Sequence, residues 1–385
     1  MTERTKQIIC ILIAAIPVFC IRTNTLQAQE IMMPESWISS IKNVQPLFSQ
    51  DTLTICFMGD IMMHTRQIEE ARKKDGTYDF SSYFRLIEDR ISSADIAIGN
   101  MEFTLAGEPY SGYPCFSAPD GFEDYLADVG FDIFLAANNH ILDKGSKGAE
   151  RTAAALSRLA ETKGTKFTGL ASDESMLKAN NPLKVIRKGI RLAFINFTYG
   201  TNLGGDRHWP KTNYIGEKGK ISDAFAEARR FNADITIALP HWGPEYQLRH
   251  SREQEETAEW LAETGADMIV GSHPHVVQDT ASVNGIPVIY SLGNAVSNMS
   301  AENTQLELMV TARIIRSGNG DISLGPLELT WLWCSRPGGF GSSYTVVPVE
   351  EYLSRREEWT GDWDYIRMKE TYSRISGIKY NDNNR

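Results

Sequence analysis

The sequence predicts an α/β protein in which two β-sheets pack face to face and helices cover their outer surfaces. Three observations predict it. Between residues 53 and 270, short apolar runs of strand character alternate with amphipathic helical segments, the order that builds a largely parallel sheet. Beyond His275 the helices stop. Strand-like runs at 279–283, 287–291, 306–315 and 322–331 follow one another through turns at Asn284-Gly285 and Gly318-Asn319-Gly320, which predicts a mainly antiparallel second sheet. Hydrophobic residues make up 42% of the chain, enough to bury both apolar strand sets in one core.

The elements follow in order. Residues 1–29 have the form of an export signal: Arg4 and Lys6, an apolar core from Ile8 to Ile21, then a polar exit through Asn24, Gln27 and Ala28. That core is shorter than the roughly 17 to 25 residues a spanning helix needs, and Cys20 at its end leaves a lipoprotein signal as the alternative. Residues 30–51, with Pro34 and Pro46 and little periodicity, read as a leader onto a domain at 52–349. That domain opens with strands at 53–58, 95–98 and 131–135 and helices at 80–91, 122–129 and 147–162. Strands at 166–168, 183–187 and 191–197 come next, the last two joined by a tight Lys188-Gly189 turn. Helix 221–231, strand 235–239, helix 253–264 and strand 268–270 then resume the alternation. Trp331 and Trp333 read as sheet packing, with carbohydrate stacking as the other reading. Residues 350–385, carrying Trp359, Trp363, Tyr365 and Tyr372, read as helices laid on the body and a polar tail at 381–385.

The formal charge is −10, and it becomes more negative once Arg4, Lys6, Arg22 and Glu3 leave with the signal. Such a chain has no electrostatic footprint for nucleic acid or anionic lipid. Beyond the signal only Cys56, Cys115 and Cys334 remain, an odd number without paired spacing. This excludes a disulfide framework and a thiolate zinc site, leaves room for one disulfide, and favours buried thiols.

Chemistry concentrates where strands end. Asp60, the Asn100-Met101-Glu102 run, Asn138-Asn139-His140 with Asp143, His241 with Glu245, and His273-Pro274-His275 each follow an apolar run. Carboxyl ends of strands are where sites in open α/β sheets are built, so five such clusters point to one shared metal site. Each residue has a plainer reading too. Asp60 suits a cap, Glu102 a solvated carboxylate, the asparagines a turn, and His241 beside Trp242 a packed core histidine. Two imidazoles flanking a proline have few structural uses. Arg249 and Arg252 read either as a clamp for an anion or as a solvated helix face, and His64, His208 and His250 as surface or supporting residues.

With Ser291-Leu292-Gly293-Asn294 after them, these clusters stand in the order and setting of the CapA-type capsule-synthesis proteins. The chain resembles this poly-gamma-glutamate family, a branch of the calcineurin-like metallophosphoesterases, over roughly residues 53–294. The resemblance implies a four-layer αββα sandwich of metallophosphoesterase type, an exported protein at the periplasm or cell surface, and a part in making or exporting a polyanionic envelope polymer. It also implies divalent metal ions, manganese, zinc or iron, one or two in number. By position, Asp60, Asn139, His241, His273 and His275 match metal ligands, and His140 matches the group that protonates a leaving alkoxide, with Asp143 beside it. The pattern also departs from the wider phosphoesterases. Met62 stands where they carry a ligand histidine, with His64 two residues further on, and Asn100 and Glu102 stand in for a bridging aspartate. That departure implies a different reaction.

Two functions are consistent with these residues. One is a metal-dependent hydrolase or transferase acting on an anionic envelope polymer or phosphate-bearing substrate, with Asp60, Glu102, Asn139, His241, His273 and His275 around the metal and His140 and Asp143 as the acid. The other is a non-catalytic accessory that uses the same cleft to bind the polymer or a membrane synthase complex.

Overall fold

A computed structural model describes residues 51–203 and 208–377. The export signal, the leader before residue 51 and the tail at 381–385 lie outside the described residues.

The first sheet begins with β1 (Asp51–Ile61), β2 (Ile96–Met101), β3 (Ile133–Leu135) and β4 (Lys166–Thr168), adjacent and parallel in that order. Helices α1 (Thr65–Ala71), α2 (Glu88–Ser92), α3 (Phe122–Val129) and α4 (Gly145–Lys163) connect them. In α4, Ala149, Thr152, Ala153, Leu156 and Leu159 are buried at helical spacing, and Gly164, in the left-handed region, ends the helix. A two-stranded ribbon of β5 (Leu170–Ala171) and β8 (Lys211–Thr212), with α5 (Glu174–Asn180) between them, leads toward the second sheet.

That second sheet takes β6 (Leu183–Arg187), β7 (Ile190–Thr198), β9 (Ile235–His241), β10 (Met268–Val270), β11 (Thr280–Val283) and β12 (Ile286–Ile289), in the order β11-β12-β10-β9-β7-β6. Lys188 and Gly189 both adopt positive φ, as the β6–β7 hairpin turn requires. Helices α6 (Lys218–Arg230) and α7 (Arg252–Thr264) cover its outer face, α7 opening on a Ser251–Gln254 capping box. The chain then returns to the first sheet through β13 (Asn294–Val296), β14 (Leu306–Arg316), β15 (Ile322–Leu324), β16 (Glu328–Ser335) and β17 (Thr345–Pro348). Two short helical turns at Val349–Tyr352 and Arg356–Glu358 precede a final helix at Asp362–Ser376. Tyr352, Trp359, Met368 and Tyr372 from this end join the core shared by the two sheets.

Three apolar clusters define four layers. One lies between α1–α4 and the first sheet, one between the sheets, one between the second sheet and α6–α7. The αββα class therefore holds, while the expected division of strands does not. The runs after His275 do not form a sheet of their own: β11 and β12 extend the second sheet, and β13–β17 pair back onto β1 and each other. Both sheets are mixed, because hydrophobic alternation sets which face a strand buries and leaves its partner unspecified. The helix expected at 80–91 is helical only over Glu88–Ser92. Asp79 accepts hydrogen bonds from the Ser81 N–H and hydroxyl, a local turn that competes with the helix, and Phe80, Tyr83 and Phe84 are buried from turns instead. The run expected at 322–331 is broken at Gly325-Pro326, where proline cannot donate to the ladder. Strands β13 and β17 and helices α1 and α5 carry too little periodicity to have been expected. Cys56, Cys115 and Cys334 are free thiols, Cys56 and Cys334 buried. Trp333 is buried, and Trp331 packs edge-on to Tyr372, the sheet-packing role expected of both.

Candidate metal centre

The carboxyl ends of β1, β2 and β3 from one sheet and of β9 and β10 from the other meet at one place. Asp60 lies near the end of β1 and Asn100 near the end of β2, with Glu102 one residue beyond it. Asn139 and His140 follow β3, His241 is the last residue of β9, and His273 and His275 follow β10. All are buried. The approach is close: a Cβ on Gly59 would lie 2.0 Å from the Gly293 carbonyl oxygen, and the Asp60 N–H donates to that same oxygen at 2.9 Å.

Glu102 sits at the centre. One of its oxygens, Oε1, lies 3.6 Å from His241 Nε2, 3.8 Å from His275 Nε2 and 4.0 Å from His140 Nε2. Neither carboxylate oxygen has a hydrogen-bond partner among the described residues, and the same is true of His273 Nδ1 and Asn100 Oδ1. Burial, and after it the charge of Asp60, pushes the Glu102 carboxyl well above its ordinary range. Burial and the neighbouring imidazoles hold His241 and His273 well below theirs, so both are neutral. Burial also lowers His275, but the Asp60 carboxylate 3.3 Å from its Nδ1 and the Asn294 carbonyl at 2.9 Å outweigh it, and its pKa is raised.

The surrounding bonds fix orientation. Asn100 Nδ2 donates to Asp60 Oδ1 at 2.6 Å and lies 3.2 Å from His241 Nδ1. The His273 N–H donates to Asp60 Oδ2 at 3.2 Å. His241 Nε2 stands 2.8 Å from Asn139 Oδ1, and Ser272 Oγ is 3.0 Å from its Nδ1. His140 Nδ1 is 2.7 Å from Asp143 Oδ2, which also accepts the Phe116 N–H. His273 and His275 both adopt positive φ, at 99° and 59°, a conformation that non-glycine residues hold only when their surroundings enforce it.

Three groups of side chains bring ligand atoms within 4.8 Å of one another: Asp60, Glu102 and His275; Glu102, His241 and His273; and Glu245, His273 and His275. Glu102 belongs to two of them, the sharing a bridging carboxylate would show. The donor set of carboxylate and imidazole, with buried carboxylate oxygens and a ring nitrogen unpartnered, fits a divalent cation of the manganese, iron or zinc type. All eight expected site residues converge here. His64 lies at the cleft wall but outside these groups, its Nδ1 facing Gln67 Oε1 at 3.1 Å and the Asn298 N–H at 3.2 Å. Reading the sequence for ligands omitted Glu245, Tyr199, Asn202 and Ser272. Tyr199 packs against His273 with the rings tilted by 39° and their centroids 4.5 Å apart, and the Asn202 N–H donates to the Asn139 carbonyl at 2.8 Å. Of these Glu245 carried a signal in its place in the His241–Glu245 string, and Ser272 in directly preceding His273 at the same strand end.

The cleft above the centre holds about 430 Å³ and is walled by Met62, His64, Cys115, His140, Glu245 and His275 among others. Tyr113, Leu203 and Tyr246, all exposed, stand at its rim.

The sequence matches the model of the bacterial capsule synthesis protein PGA_cap family over residues 54–299. It is similar to the capsule biosynthesis protein CapA of Bacillus anthracis, 27% identical over 78% of this chain and 73% of that one. The PGA biosynthesis protein CapA of Bacillus subtilis is likewise 27% identical, over 73% of each chain. Among solved structures, the calcineurin-like phosphoesterase YfkN of Bacillus subtilis aligns with a TM-score of 0.43 at 14% identity, covering 86% of this chain and 98% of that one.

Proposed function

This chain belongs to the bacterial capsule synthesis PGA_cap family, and from that premise we propose that it is a divalent-metal-dependent hydrolase working on a capsule or polyglutamate-type envelope polymer. The observation that carries the reading is Glu102: a fully buried carboxyl without a hydrogen-bond partner among the described residues, with three imidazole nitrogens within 4.0 Å of one oxygen. Packing alone does not explain such a group, because a buried carboxyl left without partners is costly whether it holds its charge or its proton. In this reading Asp60, Glu102, Asn139, His241, His273 and His275 hold the cation, and Asn100, Ser272 and Asn294 set their orientation. A cation held there supplies Lewis-acid polarisation of the reacting oxygen.

The remaining chemistry belongs to the chain itself. Asp143 accepts from His140 Nδ1–H, which leaves Nε2 as the nitrogen that gains and gives the proton, 4.0 Å from Glu102. A protonated His140 is placed to hand that proton to a departing oxygen or nitrogen, and Asp143 stabilises the imidazolium before it does so. Phe116, edge-on to the His140 ring at 4.6 Å, screens it from water on one side. The protein in this reading is exported, as the form of residues 1–29 leads one to expect.

The exposed rim of Tyr113, Leu203 and Tyr246 supports a second reading, an accessory that grips the polymer at the same cleft without cleaving it. The test is hydrolysis of γ-glutamyl polymer and of phosphate esters by protein stripped with chelator and reloaded with manganese or zinc. Activity restored by the cation and abolished in His140→Ala supports the enzyme. Polymer binding without turnover leaves the accessory, and protein that takes up no cation overturns the metal centre.

A further inference from the structure

Among the described residues that wall the cleft there is no lysine or arginine, and Glu245 adds a carboxylate. A polymer with an anionic group on every unit can satisfy one of them at the metal centre and must meet its next cation outside the cleft. The segment after β9 leads to one. Glu245 and Tyr246 wall the cleft, whereas Leu248 and Arg249 wall a second cavity of about 540 Å³. The segment after β10 runs the same way, with His275 in the cleft wall and Val277 and Asp279 in the cavity wall. Arg249 is three residues on from Tyr246, so at most about 11 Å of chain separates the two walls.

The cavity offers an apolar surface and a charge. Leu248, Val277, Leu308, Leu329 and Trp331 supply the first, and Leu329 is left 45% exposed. Arg249 and Arg374 bring positive charge and Asp279 a negative one. Two of these three are committed. Arg374 lies 2.8 Å from Glu302 and also donates to Asn303, while Asp279 accepts the His250 N–H at 3.0 Å and stands 2.9 Å from His250 Nδ1. The Arg249 guanidinium has neither an ion pair nor a hydrogen bond among the described residues. Its backbone is nevertheless fixed, because Gln278 Nε2 donates to the Arg249 carbonyl at 3.2 Å and to the Gln247 carbonyl at 2.9 Å. Arg252 shows the other fate of a cation in this stretch: it lies on α7, pairs with Glu256 at 2.7 Å and faces solvent.

We propose that this cavity is a second subsite for the polymer, in which Arg249 holds the carboxylate of a unit flanking the one at the metal centre and the apolar wall packs against that unit's methylenes. The inference rests on the reading of the substrate as a polyglutamate-type polymer. A guanidinium suits a carboxylate because its fork can donate two parallel hydrogen bonds. A γ-glutamyl unit presents both parts, a carboxylate and beside it a methylene stem that gains from leaving water. A loop already fixed by Gln278 spends little conformational entropy when that unit binds.

Calorimetric titration of manganese-treated full-length protein with γ-glutamyl oligomers of increasing length tests this, in a His140→Ala background so that no turnover intervenes. Long oligomers should bind more tightly than glutamate itself. Arg249→Ala should weaken the long oligomers by about tenfold or more and bind glutamate as before, and Arg252→Ala should change neither. Leu329→Asp, a substitution at an exposed position, should weaken the long oligomers as well, because it adds a like charge to the wall. Long oligomers that bind Arg249→Ala as tightly as its parent overturn the proposal. So does an equal loss for inorganic polyphosphate, which would make Arg249 a general anion contact. Binding seen only in a chain ended at Gly377 also overturns it, since residues 378–385 would then be the occupant. With His140 restored, Arg249→Ala should raise KM for long oligomers and leave kcat unchanged. Absence of turnover there sinks the hydrolase alone, because the titrations decide the subsite without it.

Discussion

Glu102 and Asp364 are both fully buried carboxylates, and the molecule treats them in opposite ways. Asp364, on the last helix, accepts from the Ser335 hydroxyl, from Trp333 Nε1 at 3.1 Å and from Gln305 Nε2 at 3.1 Å. Glu102 accepts from no donor among the described residues and is ringed by imidazoles and the Asp60 carboxylate. The first arrangement is how a protein partners a buried carboxyl: burial still raises the Asp364 pKa, but the donors supplied in cis oppose it and tie the last helix to β16. The second leaves ligand atoms to be satisfied by something that binds. The contrast separates a structural acid from a functional one by hydrogen-bond accounting alone.

The largest effect should come from the functional side. Glu102→Gln should lower manganese or zinc affinity by more than about a hundredfold, beyond the tenfold to hundredfold typical of a residue that merely supports a ligand. Calorimetry checks it, and a loss below tenfold would break the comparison. Asp364→Ala should do the reverse. It strands three donors and should cost about 3 kcal/mol of stability or more, read by denaturant unfolding, with cation affinity unchanged in the folded protein. Between these lie the histidines. His275→Ala should weaken cation binding by tenfold or more, while His64→Ala, whose ring is taken up by Gln67 and Asn298, should keep both metal and fold. Equal losses in the two would make His64 a ligand.

Glu307 gives the most graded test, because it lies between the extremes. One of its oxygens accepts the Gly59 N–H at 2.7 Å and the other has no partner among the described residues. Burial, against that one hydrogen bond, pushes its pKa from 4.5 to about 8. The folded state therefore holds its proton where the unfolded state has lost it. The contribution is complete below about 4.5 and is lost as pH rises toward about 8. Stability of stripped wild-type protein should fall across that window. Glu307→Gln should flatten part of the slope, and an unchanged slope would show that Glu307 does not titrate there.

Much of the centre was legible in the sequence because polar residues directly after apolar runs have few other places to go. Asp60, His241 and the His273-Pro274-His275 pair stand at strand ends for that reason. What periodicity could not show is that β1–β3 and β9–β10 belong to different sheets, so the site lies between the sheets and not along one edge. Register and pairing are decided by long-range packing. Glu245 was visible only as a member of its string, since its approach to the histidines depends on Gln278 bonding to a loop some thirty residues earlier. Asp364 left no signal at all. Trp363 is among the aromatics expected to lay this end on the body, yet it is 49% exposed while its neighbour Asp364 is buried.

The most direct test of the central claim, that the unpartnered Glu102 carboxylate is kept for a cation at the expense of stability, is the melting temperature of stripped protein with and without manganese, compared between wild type and Glu102→Gln. Glu102→Gln should melt no lower than wild type without metal, because an amide of nearly the same shape replaces a buried carboxyl that already has no partner among the described residues, and added manganese should raise the wild type alone. A Glu102→Gln protein that melts well below wild type without metal, and still gains from manganese as wild type does, would contradict it.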